Sequence, residues 1–107
     1  FAIPVSSVSF ENTLPLKTAL SKNYPNPFNP STTIPYELRE DGLVSMVVYD
    51  LNGAEVKTLL SENVSAGSYQ AVWNGVNNTG QNVASGRYIV KMSAPGFSDT
   101  ITMTLLK

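Results

Sequence analysis

The chain has 107 residues, enough for one domain with a single hydrophobic core. Its seven basic and eight acidic residues give a formal net charge of -1, so no basic surface is expected and nucleic acid is not an expected partner. The absence of cysteine and histidine excludes disulfides, thiol nucleophiles, thiolate metal sites and histidine bases. No apolar run is long enough for a transmembrane segment.

Residues 1–22 are predicted to form a connector that precedes a folded domain over residues 23–107. Pro4 and Pro15 interrupt regular structure in the connector, where polar residues separate the apolar ones. A short edge strand is predicted around Leu16 to Leu20. The start of the sequence lacks the basic and apolar regions of a secretory signal peptide, so we expect a piece of a larger protein.

The segment Tyr24-Pro25-Asn26-Pro27-Phe28-Asn29-Pro30 holds three prolines, which restrict both themselves and the residues before them. We predict a rigid lead-in, an extended or polyproline-like chain with turns, that loses little entropy on folding. Tyr24 and Phe28 would pack as apolar pegs at one end of the fold, and Asn26 and Asn29 would hydrogen-bond nearby backbone. A proline-rich ligand for a partner's groove is the alternative interpretation.

Beyond the prolines, alternating apolar residues predict six strands with a turn signal about every ten residues. Val56 to Leu60 is predicted as a return strand. The residues expected on the buried faces of the other five strands are Ile34, Tyr36, Leu38, Val44, Met46, Val48, Tyr69, Ala71, Trp73, Tyr88, Val90, Met92, Ile101, Met103 and Leu105. The pattern predicts an all-β protein, an antiparallel immunoglobulin-like β-sandwich of about seven strands.

Two local features refine this prediction. Pro35 removes a hydrogen-bond donor, so its strand is expected at a sheet edge. Asn52-Gly53 is expected to form a tight hairpin turn with both residues at positive φ. Pro95-Gly96 is expected to turn the chain before the last strand, and residues 74–86 are expected to form a loop or wide hairpin.

Oxygen-bearing side chains cluster in two predicted turns, which suits calcium in principle. The two groups are Asp50, Asn52 and Glu55, and Asn74, Asn77 and Asn78. The second group is neutral, whereas a hard divalent cation prefers anionic ligands. Turn formation by asparagine is therefore the favoured interpretation, and we expect no metal and no other cofactor.

Catalysis is not expected, because most carboxylates fall in predicted turns and no Gly-x-Ser-x-Gly nucleophile elbow is present. Four aromatic residues would also suit a carbohydrate platform: Tyr49, Tyr69, Trp73 and Tyr88. Burial between two sheets explains Tyr69, Trp73 and Tyr88 without a ligand. Tyr49 is out of phase with Val48 and is expected nearer the surface.

The proline segment, with the Ser-Thr-Thr-Ile that follows it, resembles the opening of the type A C-terminal sorting domain of the type IX secretion system. The resemblance spans about residues 23–107 and continues through Tyr36-Glu37-Leu38, Val48-Tyr49-Asp50, Gly53-Ala54-Glu55-Val56, Ala66-Gly67, Ser85-Gly86-Arg87-Tyr88-Ile89-Val90 and Met103-Thr104-Leu105-Leu106-Lys107. Residues 73–86 also resemble the Ig-like domain of the flagellar hook-capping protein, which shares this sandwich.

The first resemblance implies a non-catalytic secretion signal domain that directs a larger cargo protein through the periplasm to an outer-membrane translocon. Its implied partners are that translocon, an associated cell-surface peptidase and an upstream cargo domain in the same chain. The product would be secreted or held at the outer-membrane cell surface, with cleavage expected within residues 1–22.

The resemblance also implies which residues carry recognition. They are Tyr24, Pro25, Asn26, Pro27, Phe28, Asn29, Pro30, Gly86, Tyr88, Leu105, Leu106 and Lys107. Addition of a strand to the edge of the last strand is one possible mode of recognition. A carbohydrate-binding or spacer module of a secreted multidomain hydrolase is the alternative function.

Overall fold

The computed structural model describes residues 14–107, which form seven β-strands. In three of these strands, more buried and less buried residues alternate, as expected where one face of a strand packs on the core. The strands are β1 (Ala19–Leu20), β2 (Thr32–Leu38), β3 (Gly42–Asp50), β4 (Glu55–Val64), β5 (Gly67–Trp73), β6 (Gly86–Ala94) and β7 (Phe97–Leu105).

The strands form two sheets that face each other across one core. One sheet has three strands in the order β1-β2-β5, and the other has four in the order β4-β3-β6-β7. All neighbouring strands in both sheets run antiparallel. This arrangement confirms the predicted all-β, immunoglobulin-like sandwich.

The core lies between the inner faces of the two sheets, and it contains the alternate apolar residues on which the strand prediction was based. Its most deeply buried side chains are Phe28, Ile34, Tyr36, Leu38, Val44, Met46, Val48, Trp73, Tyr88, Val90, Met92, Met103 and Leu105. Tyr69, Ala71 and Ile101 pack against this cluster while staying partly exposed. Burial of these side chains is the main favourable term for a fold of this kind.

The predicted edge position of the strand that contains Pro35 is wrong, because β2 lies between β1 and β5. The physical reason is that β1 has only two residues, and they pair with Tyr36 and Glu37. Pro35 still accepts a hydrogen bond from Ser21 N through its carbonyl, at 3.0 Å. In an antiparallel pair, the N–H and C=O of one residue point to the same side, so an N–H at position 35 would also point toward β1. The β1–β2 pairing ends at Tyr36, and the proline therefore removes no hydrogen bond between these two strands.

The turn between β3 and β4 also differs from the prediction. Gly53 has a φ of 86°, but no described residue other than glycine has a positive φ, so Asn52 does not. Asp50 Oδ1 instead accepts hydrogen bonds from Asn52 N at 2.9 Å and Ala54 N at 3.0 Å. This side-chain cap holds a longer turn in which glycine alone takes the left-handed conformation.

The part of the chain before β2 contains little regular structure within the described residues. The edge strand expected around Leu16 to Leu20 is present only at its last two residues, as β1. Between residues 14 and 107 the structure has no helix long and apolar enough to cross a membrane. The predictions for Pro4 and for the rest of residues 1–13 of the connector lie outside the described residues.

Candidate functional site

The proline segment crosses from one sheet to the other instead of running beside a single strand. Tyr24 forms a bridge with Thr33 of β2, through hydrogen bonds of 2.9 and 2.8 Å between their backbones. Four residues later, Phe28 forms a parallel bridge with Leu105 of β7. The segment bends repeatedly between these bridges, and its three X–Pro bonds are cis. The segment thus links β2 of one sheet to β7 of the other.

Two segments that lie far apart in the sequence meet at this crossing. Phe28 N donates to the carbonyl of Thr104 at 2.9 Å, and Leu106 N donates to the carbonyl of Phe28 at 3.0 Å. Between them, Thr104 N donates to Asn26 Oδ1 at 3.0 Å, across a sequence separation of 78 residues. The proline segment thus covers the outer edge of β7 at the C-terminal end of the strand.

The residue that follows Leu106 is held from another direction. Lys107 N donates to Ser85 Oγ at 3.0 Å, next to the start of β6. We call the contacts of Asn26, Phe28 and Ser85 with residues 104–107 the terminal clamp. The clamp fixes backbone on both sides of Leu105, whose own side chain is buried in the core.

Phe28 also anchors the clamp to the core through its ring. The ring is 2% exposed and lies 5.6 Å from the Trp73 ring, centroid to centroid. Trp73 in turn meets Tyr88 edge-on at 5.1 Å. Burying a phenylalanine contributes about 1.5–3 kcal/mol, and such tilted aromatic pairs add about 0.5–1.5 kcal/mol each. The aromatic row therefore couples the proline segment, β5 and β6.

The polar atoms of this row are satisfied by the loop over residues 74–85. Trp73 Nε1 donates to the carbonyl of Val76 at 2.9 Å. The Tyr88 hydroxyl donates to the carbonyl of Ala84 at 2.6 Å. Burial raises the pKa of Tyr88 above its ordinary value of 10.0, and the nearby Asp50 carboxylate raises it further. Tyr88 is therefore a neutral donor over the physiological pH range.

Gly75 brings the same loop against both clamped segments. It has a φ of 74°, in the left-handed region. A Cβ placed there would lie 3.3 Å from the carbonyl oxygen of Pro30 and 3.5 Å from Leu105 Cδ2. Both the conformation and the close approach therefore favour glycine. Gly75 falls in the motif that resembles the hook-capping domain, but nothing in the residues around it indicates this close approach.

A small polar network fixes the entry to the proline segment. Asn23 is 5% exposed, and its Nδ2 donates to Thr32 Oγ1 at 2.9 Å. Thr32 Oγ1 donates in turn to the carbonyl of Pro25 at 2.9 Å. Asn23 Oδ1 is buried without a hydrogen-bond partner among the described residues. Sequence reasoning missed the role of Asn23, since nothing in a lone asparagine beside a predicted connector signals burial.

The predicted recognition residues fall into two groups. The first lies together at this end of the sandwich and consists of Asn26, Phe28, Pro30, Gly86, Tyr88, Leu105, Leu106 and Lys107. The second consists of Tyr24, Pro25, Pro27 and Asn29, which are exposed members of the same proline segment that do not take part in the clamp. Of these, Tyr24 receives a hydrogen bond from Gln70 Nε2 at its hydroxyl, 3.0 Å away.

The asparagine-rich loop uses its side chains to shape itself. Asn77 Oδ1 accepts hydrogen bonds from the backbone of Thr79 and Gln81, each at 3.0 Å, and from the Thr79 hydroxyl at 2.8 Å. Asn78 Oδ1 accepts from Thr58 N at 2.9 Å, on the outer edge of β4. These contacts support turn formation. Within residues 14–107, no three acidic side chains are grouped to hold a metal ion.

The aromatic residues considered for carbohydrate binding do not form a platform. Trp73 is fully buried, Tyr88 is 7% exposed, and both belong to the core. Tyr69 stacks on Tyr36 with ring centroids 5.5 Å apart, and its hydroxyl donates to the carbonyl of Ser65. Tyr49 is half-buried. Packing between the sheets therefore explains Tyr69, Trp73 and Tyr88.

The fold and the sequence together define the class of this protein as a small Ig-like module. The sequence model of the FlgD Ig-like domain matches residues 32–96, and the chain belongs to this family. The matched range starts after the proline segment and ends before β7, so it omits two of the segments that meet in the clamp. No curated protein shows significant similarity to the sequence.

Solved structures that share the fold include three with named functions. Latent dimeric PorU of Porphyromonas gingivalis matches with a TM-score of 0.66 and 18% identity, over 86% of this chain and 10% of PorU. PorZ, an essential surface component of the type-IX secretion system of Porphyromonas gingivalis, matches with a TM-score of 0.51 and 24% identity, over 84% of this chain and 11% of PorZ.

The third structure is FlgD of Xanthomonas campestris, which functions in the hook capping essential for flagellar assembly. It matches with a TM-score of 0.58 and 22% identity, over 82% of this chain and 67% of FlgD. All three identities are low, so these likenesses concern the fold. The chain spans only about a tenth of the length of PorU and of PorZ.

The close approach of Gly75 to Pro30 gives a stability prediction. Gly75→Ala adds a Cβ at positive φ and against a backbone carbonyl, so we expect it to lower the free energy of unfolding by about 2–4 kcal/mol. Gly53→Ala is the matched control, because Gly53 has a φ of 86° with no atom within 4 Å of the added Cβ. It should cost only about 1–2 kcal/mol. Equal losses in urea denaturation would show that the loop does not press on the clamped segments.

Tyr88 gives a prediction for alkaline pH. The raised pKa means that the folded state holds the phenol proton more tightly than the unfolded chain. Its contribution to stability is complete below the ordinary value of 10.0 and is lost as pH rises through the folded pKa. Tyr36, whose pKa is also raised by burial, then by Tyr69 and Glu62, adds to the same loss.

The test compares wild type with Tyr88→Phe. At about pH 8 the variant should be less stable by about 1 kcal/mol, because the hydroxyl bond to Ala84 is lost. Between about pH 9 and pH 11, around the ordinary tyrosine pKa, its free energy of unfolding should fall less steeply than that of wild type. Urea denaturation at several pH values measures both. An unchanged alkaline slope would contradict the assignment to Tyr88.

Proposed function

We propose that the chain is a non-catalytic sorting domain of the type IX secretion system, of the type A class that its motifs resemble. In this role it directs a cargo protein, joined to it upstream, through the periplasm to an outer-membrane translocon. The cargo is then secreted or kept at the cell surface, after cleavage by a surface peptidase. The translocon and that peptidase are its proposed partners.

One observation carries the proposal: the signature segments that lie far apart in sequence meet at one end of the molecule. The proline segment, the Ser85-Gly86 turn and the last strand contact one another through the terminal clamp. A spacer module requires a stable sandwich, but it does not require its most characteristic segments to be gathered in one place. A composite surface of this kind is suited to recognition.

At the clamped end of the sandwich, Leu106 and Lys107 are exposed to solvent. Leu106 is 52% exposed although the preceding Leu105 is 1% exposed. Lys107 is also exposed and places a positive charge beside the apolar Leu106. An apolar side chain next to a cation gives a partner both a contact surface and an orientation. The likeness to PorZ supports the proposal at the level of the fold.

The carbohydrate-binding alternative has no structural observation in its favour, since Trp73 and Tyr88 are core residues. Carboxylates that drew attention in the sequence serve the turns instead. Asp50 caps the β3–β4 turn, and Glu55 Oε2 accepts hydrogen bonds from Thr58 Oγ1 at 3.0 Å and Asn78 Nδ2 at 3.1 Å. A non-catalytic role is therefore the proposal for the module as a whole.

A fusion experiment tests the proposed function. The whole chain, residues 1–107, is fused behind a fluorescent reporter that carries a signal peptide, in a host with an active type IX system. We expect the reporter in the medium or at the cell surface, and in the periplasm of a host that lacks the translocon. Equal distribution in the two hosts would contradict the proposal and favour a spacer.

Matched variants then test the exposed end. Leu106→Ser should strongly reduce export, because it removes the exposed apolar contact without disturbing the core. Leu43→Ser is the control, since Leu43 is 61% exposed and lies elsewhere, on β3. Deletion of residues 105–107 should abolish export. Normal export of both the deletion and the Leu106 variant would exclude the last residues from recognition.

A further inference from the structure

The proline segment covers the outer edge of β7 at the C-terminal end of that strand. This cover restricts how a partner can bind there. An uncovered edge strand presents unpaired N–H and C=O groups to which another chain can add. Here the Thr104 carbonyl accepts from Phe28, Thr104 N donates to Asn26, and Leu106 N donates to Phe28. A partner strand would have to displace the proline segment before it could pair at these positions.

Displacing the segment would be costly, because Phe28 is held by its ring as well as its backbone. Its side chain is 2% exposed and packs on Trp73. The entry to the segment is fixed separately, through the hydrogen bonds of Asn23 and Thr32 with one another and with the carbonyl of Pro25. The clamp is therefore part of the folded core and not a loose cover on the strand.

We infer that the partner recognises residues 104–107 in their folded, clamped form, and that Asn26 is a positioning residue for this recognition. This inference rests on the proposed function. The recognised signal is then discontinuous: Leu106 and Lys107 supply the exposed side chains, and the proline segment, far away in sequence, sets their orientation. Asn26 is exposed, so its side chain contributes to the position of Thr104 rather than to the core.

Three variants at matched positions test the inference. Asn26→Ala removes the oxygen that accepts the bond from Thr104 N, whereas Asn26→Asp keeps an acceptor at the same place. Asn63→Ala is the control, because Asn63 is also exposed and lies away from the clamp, on β4 at the opposite edge of the same sheet. Each variant is made in the full chain, both alone and in the reporter fusion.

The first readout is amide hydrogen exchange, which does not depend on export. Loss of one hydrogen bond should speed exchange at Thr104 by about threefold to tenfold in Asn26→Ala. Asn26→Asp and Asn63→Ala should exchange at nearly the wild-type rate, and all three variants should keep the wild-type melting temperature within a few degrees. Unchanged protection of Thr104 in Asn26→Ala would overturn the role of Asn26 in the clamp.

The second readout is export of the reporter fusion. Asn26→Ala should export less than wild type, Asn26→Asp should restore export, and Asn63→Ala should leave it unchanged. If faster exchange at Thr104 is accompanied by equal or greater export, the partner reads a released strand and the inference is overturned. Failure of the wild-type fusion to need the translocon would instead overturn the proposed function, while the exchange result would still test the clamp.

Discussion

The parallel bridge between Phe28 and Leu105 is the interaction on which the organisation of this end of the molecule depends. Its backbone bonds attach the proline segment to the four-stranded sheet, while Tyr24 attaches the same segment to the three-stranded sheet. The Phe28 ring fills the space between them against Trp73. The bridge therefore ties the two sheets together through a segment that belongs to neither.

This constraint explains why so stiff a segment suits the position. A chain that crosses between two sheets has no regular ladder to support it, so its conformation must be set locally. Proline restricts its own backbone and that of the residue before it, which lowers the entropy lost on ordering. Two side chains then provide specific attachment: Phe28 in the core and Asn26 at the backbone of Thr104.

Much of the fold was predictable because it depends on short-range patterns. Alternation in Ile34, Tyr36 and Leu38, and in Tyr88, Val90 and Met92, identifies the inner faces of strands whatever the topology. The pattern does not give strand order, and so the edge position predicted for Pro35 was wrong. Nor did it show that an aspartate cap would replace a tight Asn-Gly turn after β3.

The site was predictable only in its parts. Each motif was visible in the sequence, but nothing local indicates that Asn26 meets Thr104 across 78 residues or that Gly75 must approach Pro30. Such contacts are set by the packing of two sheets. The most direct test is the nuclear Overhauser spectrum of the chain in solution. The account predicts cross-peaks from the Phe28 ring to both Trp73 and Leu105. A spectrum in which Phe28 has no contact with β7 would contradict it.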